Sequence, residues 1–377
     1  MIYLDHNATT RPHPEVCAAI AAALEGSWGN PSSPHGPGRA ARELVERARV
    51  EVAALVGARP EEIVFCSGGT EGDNLAVRGA ARAMRERTGR DLVVSSPLEH
   101  PAVRASLEAL AAEGFRVALV PVAGDGAIDP DDVARLAEGA ALVTLAAANH
   151  EIGNRYPLAA FAAAAHRGGA LFHADAVQAV GRMALDVAAL DVDLATISAH
   201  KIYGPKGAGA LVLRRGVTLA PLVVGGHQER ERRPGTENVA GIVGLGAACA
   251  LVRREGSGRV ERVARLRDRL EAGALALDGA RRFGARDRVA NTSSLGFRGV
   301  EGEVVMMALD LEGVAVSTGA ACTSGSIDPS PAILALGVPR AEARQAVRFS
   351  LGWDNTDEEI DRVLELLPAI VARARAA

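Results

Sequence analysis

From about residue 62, short apolar runs alternate with Ala-rich stretches of helical length, and this alternation constrains the fold more than any other feature of the chain. The runs are residues 63–66, 92–95, 117–120, 142–145, 170–173, 194–197 and 209–213. Each is short and apolar at successive positions, as in a strand covered on both faces. The segments between them, such as 70–87 and 157–167, read as helices. Such strands, joined by helices, predict an α/β layer built on a mostly parallel seven-stranded sheet. After Val239 the pattern changes. A long helical region with a break at Gly256-Ser257-Gly258 is expected there, followed by strands at 292–297, 314–316 and 347–350 and helices at 301–311 and 357–373. That is a smaller α+β unit, and the opening residues are expected to pack with it. The predicted division is a large domain over 15–255 and a small one made of 1–14 and 256–377.

A chain of 377 residues suits two such domains. Hydrophobic residues make up 48% but aromatic ones only 3%, so the core is expected to consist of Ala, Val and Leu. A net charge of -4 gives no reason to expect nucleic acid or an anionic membrane as partner. No apolar run resembles a membrane span, and Met1-Ile-Tyr-Leu-Asp-His6 does not resemble a signal peptide. Four cysteines, Cys17, Cys66, Cys249 and Cys322, are widely spaced without a CxxC pair. A disulfide framework or metal site is therefore not expected, and a reduced, cytoplasmic chain is the simplest reading.

In open α/β sheets, ligands bind beyond the carboxyl ends of the strands. Polar motifs fall at five of those ends. Ser67-Gly-Gly-Thr-Glu-Gly72 opens a helix, with Gly69 and Thr70 suited to an anion, although a plain helix cap would read the same way. Glu99-His100, Asn149-His150-Glu151, Asp175-Ala-Val-Gln178 and Ser198-Ala-His-Lys201 follow at four others, the ends of the runs 92–95, 142–145, 170–173 and 194–197. A lone His there is commonly structural, and an Asp there can be only a cap. The last motif holds a second anomaly. Lys201 and Lys206 are the only lysines among 42 basic residues, the others being Arg. A lysine amine can lose its proton and form a Schiff base, which a guanidinium cannot. A reactive lysine, an acid for a ring nitrogen, a flat His and a Gly/Thr/Ser phosphate cup are together the parts of a pyridoxal phosphate site.

With those residues in view, the sequence resembles the NifS/IscS-type cysteine desulfurases, in the class V aminotransferase group of fold-type I pyridoxal phosphate enzymes. The resemblance runs from Tyr3-Leu-Asp-His-Asn-Ala-Thr-Thr10 to Arg348-Phe-Ser-Leu-Gly352 and includes Ser198-Ala-His-Lys-Ile-Tyr-Gly-Pro-Lys-Gly207, Arg233-Pro-Gly-Thr-Glu-Asn238 and Ser317-Thr-Gly-Ala-Ala-Cys-Thr-Ser-Gly-Ser326. It implies that Lys201 holds pyridoxal 5'-phosphate and moves protons, and that Asp175 pairs with the ring nitrogen. Gln178 would bond the ring hydroxyl, and His100 would stack on the ring and serve as acid or base. Gly69, Thr70, Ser198 and His200 would bind the phosphate, with Thr236 contributed across a homodimer. Arg348 would take the substrate carboxylate, and Cys322 would receive sulfur as a persulfide. The Gly, Ser and Thr residues around Cys322 lead to the expectation of a mobile loop.

The implied reaction converts L-cysteine to L-alanine and passes sulfur to an acceptor protein, for iron–sulfur clusters or for thiolation. One position departs from the family: His150 stands where an Asn that contacts cofactor and substrate is usual, so His150 is assigned only to such contacts. The alternatives are a selenocysteine lyase or other class V C–S lyase in which Cys322 is dispensable, and a non-enzymatic descendant, against which Lys201, Asp175, His100 and Arg348 all argue.

Overall fold

A computed structural model describes residues 1–319 and 328–376; Cys322 and the loop expected around it lie outside the described residues. Among the described residues the strands are β1 (Ile2–Tyr3), β2 (Ile63–Cys66), β3 (Leu92–Ser95), β4 (Arg116–Leu119), β5 (Leu142–Ala146), β6 (Leu171–Asp175), β7 (Leu194–Ser198), β8 (Gly209–Leu213), β9 (Ala280–Phe283), β10 (Thr292–Phe297), β11 (Val314–Ala315) and β12 (Ala346–Ser350). The seven apolar runs form one sheet in the order β2-β8-β7-β6-β5-β3-β4. Only β8 runs against the others, antiparallel to both β2 and β7. The cause is local. A parallel return needs a crossover of a dozen or more residues, usually helical, whereas only the turn around Lys201 and a short loop separate β7 from β8.

Every residue of β5, β7 and β8 is buried. The core around them is dominated by Ala, Val and Leu, as composition requires. Strand β4 corrects the expectation of double-sided burial. It is the sheet edge, mostly exposed, and carries Arg116 paired with Asp91 at 2.7 Å. A charged edge of this kind discourages pairing with another chain.

A second, antiparallel sheet has the order β12-β10-β9, and β1 pairs with β11, Ile2 opposite Val314. A bridge from Asp5 to Ser350 lays the opening residues along β12. Strand β9 escaped the sequence reading because its two arginines mask an edge strand.

The helix Val239–Leu275 overturns the break expected at Gly256-Ser257-Gly258. It is continuous, and the boundary expected between residues 255 and 256 falls inside it. Each interior glycine costs a helix about 1 kcal/mol. Against that, Leu245, Cys249 and Val252 before the glycines, and Val263, Leu266 and Leu270 after them, are buried at helical spacing. Each large apolar residue so buried contributes about 1.5–3 kcal/mol, so packing outweighs propensity. Gly246 has its own reason: a Cβ there would lie 2.7 Å from the Cα of Ala48, in the neighbouring helix Gly36–Val56.

Candidate active site

Because β2, β3, β5, β6 and β7 run the same way, their carboxyl ends share one edge of the sheet. A cavity of about 330 Å³ opens there. It is lined by Gly69 and Thr70 beyond β2, His100 beyond β3, His150 beyond β5, Asp175 and Gln178 at and beyond β6, and Ser198, His200 and Lys201 at and beyond β7. Arg348 enters from β12. Ten of the twelve residues expected in the site therefore meet in one place. Thr236 does not reach it. Thr236 is exposed and lines a separate hollow with Cys66, Ser67, Arg233 and Asn238. Its loop is tethered by Arg233, whose Nε donates to Glu71 Oε1 at 2.7 Å. Cys322, as noted, lies outside the described residues.

Lys201 ends the short turn after β7, and its Nζ donates to the carbonyls of Asn7 at 2.5 Å and Ala8 at 2.7 Å. Burial, and then the nearby charges of Arg182 and Arg348, push its amine down to about 7. Near neutral pH a large share of this amine is uncharged and nucleophilic. Two residues on, Tyr203 adopts a left-handed backbone with φ 66°. Its amide donates to Thr10 Oγ1 at 2.7 Å and its hydroxyl accepts from the Trp353 amide at 2.8 Å, so both parts of the chain fix the turn that presents Lys201.

Across the cavity, Asp175 Oδ1 accepts from the Val177 amide at 3.0 Å. Burial raises its carboxyl, while the Val177 bond and the charges of His150 and Lys201 pull the other way. His100 caps the helix Pro101–Ala112, its Nδ1 accepting from the Ala102 amide at 3.1 Å. With Nδ1 so used, the hydrogen of the neutral ring belongs on Nε2. Burial, His150 and Lys201 hold His100 down at about 3, so it presents a neutral, flat ring. The His150 ring meets it edge-on at 5.2 Å, and His150 Nε2 lies 3.4 Å from Glu151 Oε1. Burial and Lys201 likewise lower His200 to about 4, and its Nδ1 lies 3.2 Å from Thr9 Oγ1.

Two wall residues escaped the sequence reading. Asn7 comes from the opening segment, and its Nδ2 donates to the His150 carbonyl at 3.0 Å and to Thr292 Oγ1 at 2.9 Å. Asp73 is buried, and burial together with the negative charge of Asp175 raises its carboxyl well above the usual range. Its signal was available: Asp73 sits on the same helical stripe as the buried residues Ala76, Val77 and Ala80, where an acid has no packing role.

The wall fits pyridoxal phosphate on grounds independent of any motif. Gln178 Oε1, Ser198 Oγ and Asp73 Oδ1 are buried polar atoms without hydrogen-bond partners, and all three residues line this cavity. Buried polar groups are ordinarily paired, so a cluster of orphans marks where a ligand supplies the partners. Gly68, at the turn facing Ser198, holds φ 153°, a backbone conformation that favours glycine.

The aminotransferase class-V family profile matches residues 2–363 of the chain. The cysteine desulfurase of Cereibacter sphaeroides is 48% identical over 380 residues, an alignment covering 100% of this chain and 97% of that protein. The cysteine desulfurase of Trichormus azollae is 45% identical over 379 residues, covering 100% and 94%. A solved NifS-like protein superposes with a TM-score of 0.92 at 34% identity, covering 99% of both chains.

Proposed function

The chain belongs to the aminotransferase class-V family, and from that premise we propose that it is a cysteine desulfurase, converting L-cysteine to L-alanine and passing the sulfur to Cys322 as a persulfide. The observation that carries this reading is Lys201, an amine held near 7 in one cavity with Asp175, His100 and Arg348. When bound, pyridoxal phosphate supplies an aldehyde for an amine and a ring that accepts the electrons released at the substrate α-carbon. Lys201 would hold it, with Asp175 at the ring nitrogen, Gln178 at the ring hydroxyl and His100 against the ring face. Gly69, Thr70, Ser198 and His200 would hold the phosphate.

The residues then divide the work. Arg348 fixes the substrate carboxylate, a task that suits a guanidinium fork. Lys201 takes the proton from the α-carbon, for which an amine near 7 is well matched to neutral pH. The Cys322 thiolate attacks the substrate sulfur, forming an S–S bond as the C–S bond breaks; the electron pair of that bond goes to the β-carbon, which takes a proton, and the α-carbon regains the proton that Lys201 removed, giving alanine. His150 contacts cofactor or substrate.

We extend the reading to a homodimer in which Thr236 serves the partner's cavity; the exposure of Thr236 and its distance from its own cavity favour this. We further propose a large domain over 15–255 and a small one of 1–14 and 256–377, a division favoured by the separation of the seven-stranded sheet from the β12-β10-β9 and β1-β11 sheets. We also propose delivery of sulfur to an acceptor protein for iron–sulfur clusters or thiolation, and a cytoplasmic location. Among the described residues no helix is long and apolar enough to cross a membrane.

The test is mass spectrometry of Cys322 after the holoenzyme meets L-cysteine, read beside alanine formation. One added sulfur on Cys322, and loss of turnover in Cys322→Ala, are expected. Wild-type alanine and sulfide production by Cys322→Ala would sink the persulfide route and leave a C–S lyase.

A further inference from the structure

Arg348 already has a partner. Its Nη2 donates to Asp5 Oδ1 at 2.7 Å, and its Nη1 to the His150 carbonyl at 2.9 Å. Its Nε is buried with no hydrogen-bond partner. Asp5 is fixed in turn: it bridges to Ser350 on β12, and its carbonyl accepts from the Ala8 and Thr9 amides. The carboxylate is thus built into the strap formed by the opening residues, whose next carbonyls, at Asn7 and Ala8, hold Lys201.

A guanidinium whose only task were to capture an anion would be weakened by a permanent counter-ion. We propose that Asp5 is a positioning residue that sets the affinity of this site for α-carboxylates. It pins one Nη and, with the His150 carbonyl, fixes the plane of the Arg348 fork so that the unpartnered Nε edge is left for the ligand. Its negative charge at the same time keeps carboxylate binding weak. Because the carboxylate is held alike in the substrate complex and the transition state, that charge acts on KM and not on kcat. This rests on the reading of Arg348 as the carboxylate site.

Binding to the holoenzyme, followed by the absorbance of the bound cofactor, tests it without requiring desulfurase activity. L-alanine carries the α-carboxylate; ethylamine is the same amine without it. Removing one charge beside a partly buried anion site should tighten L-alanine about tenfold in Asp5→Asn, with ethylamine unchanged. Asp5→Glu should restore wild-type binding, and in Asp5→Asn KM for L-cysteine should fall with kcat little changed. A residue that merely supported the fold would weaken both ligands, and one that only oriented the fork, with no effect of its charge, would weaken L-alanine alone. Either result, or no change, overturns the proposal. Asp5→Ser serves if Asp5→Asn fails to take up cofactor. Arg348→Gln separates the two readings. If it leaves the preference for L-alanine over ethylamine intact, Arg348 is not the carboxylate site and the role of Asp5 falls with it. If L-alanine tightens as expected but L-cysteine yields no alanine, only the desulfurase reading fails.

Discussion

Arg182 gives the most direct handle on the chemistry of Lys201. It is buried and donates only to two backbone carbonyls, Gln178 at 3.3 Å and His6 at 3.2 Å. Burial pushes even this guanidinium down, to about 10. After burial itself, Arg182 is the largest influence lowering the Lys201 amine from 10.5 to about 7. Each pH unit of that shift corresponds to about 1.4 kcal/mol, and a unit charge in partly buried surroundings supplies about 1 to 1.5 units. Arg182→Met keeps the stem volume and removes the charge, so the amine should rise to about 8. At pH 7 its neutral fraction would fall from about one half to about one tenth. Uptake of pyridoxal phosphate by the apo protein, followed by the absorbance of the bound form, should slow about fivefold at pH 7 and converge with wild type above pH 10. Arg182→Lys keeps the cation and should leave the profile near wild type. An unmoved profile in Arg182→Met, or the same displacement in Arg182→Lys, refutes the argument that the Arg182 charge, as opposed to its two hydrogen bonds, tunes Lys201.

Glu99, next to His100 in sequence, is buried, its Oε1 accepting from Ser96 Oγ at 2.7 Å while its Oε2 has no hydrogen-bond partner among the described residues, and burial raises it to about 8. Between 4.5 and about 8 the folded chain therefore holds a proton that the unfolded chain has lost, so this group's contribution to stability falls as pH rises through that window. Glu99→Gln, compared with wild type by urea denaturation, should gain about 2–4 kcal/mol in relative stability between pH 5 and pH 8; a difference independent of pH would contradict the assignment. Glu229, in the loop that carries Thr236, meets Arg49 through bonds of 2.7 and 2.8 Å, both side chains buried, and also accepts from the Phe65 amide at 2.9 Å. Glu229→Leu removes the buried partner of the guanidinium, leaving it the more exposed Glu46 at 3.1 Å and the Ile63 carbonyl at 2.8 Å, and should lower stability by about 3 kcal/mol. It should also loosen the Thr236 loop; a variant that melts with wild type would show that the pair contributes no net stability.

The sheet and most of the cavity were legible because they follow from two simple regularities. Apolar runs bounded by helices specify strands, and a shared strand direction brings successive strand ends to one edge, so Thr70, His100, His150, Asp175 and Lys201 could be gathered without coordinates. Residues that reach the site by other routes were not legible. Asn7 and Asp5 arrive because β1 pairs with β11 and Asp5 bridges to Ser350, contacts more than 300 residues apart in sequence. Asp73 was missed because it follows a Gly-rich turn that reads as a cap. The Gly256-Ser257-Gly258 error has the opposite cause, a local propensity overridden by apolar residues that only the folded helix brings to one face.

The electrostatics of the wall also bear on what can bind there. Lys201 in the wall and Arg182 near it are pushed down, and Asp73 and Asp175 in the wall and Glu99 near it up, each with burial as the first cause. Burial thus drives groups of both signs toward their neutral forms. A ligand of a single sign would relieve one side and aggravate the other: an anion suits the end with Ser198 and His200 but opposes Asp175 and Asp73, and a cation does the reverse. A ligand with an anionic group at one end, a ring nitrogen able to hold a proton at the other, and a carbon that consumes the Lys201 amine meets all three demands together. A cofactor of the pyridoxal phosphate type is of this kind, and Asp175 acts there as an anion only when a cationic partner restores the ionised form that burial disfavours.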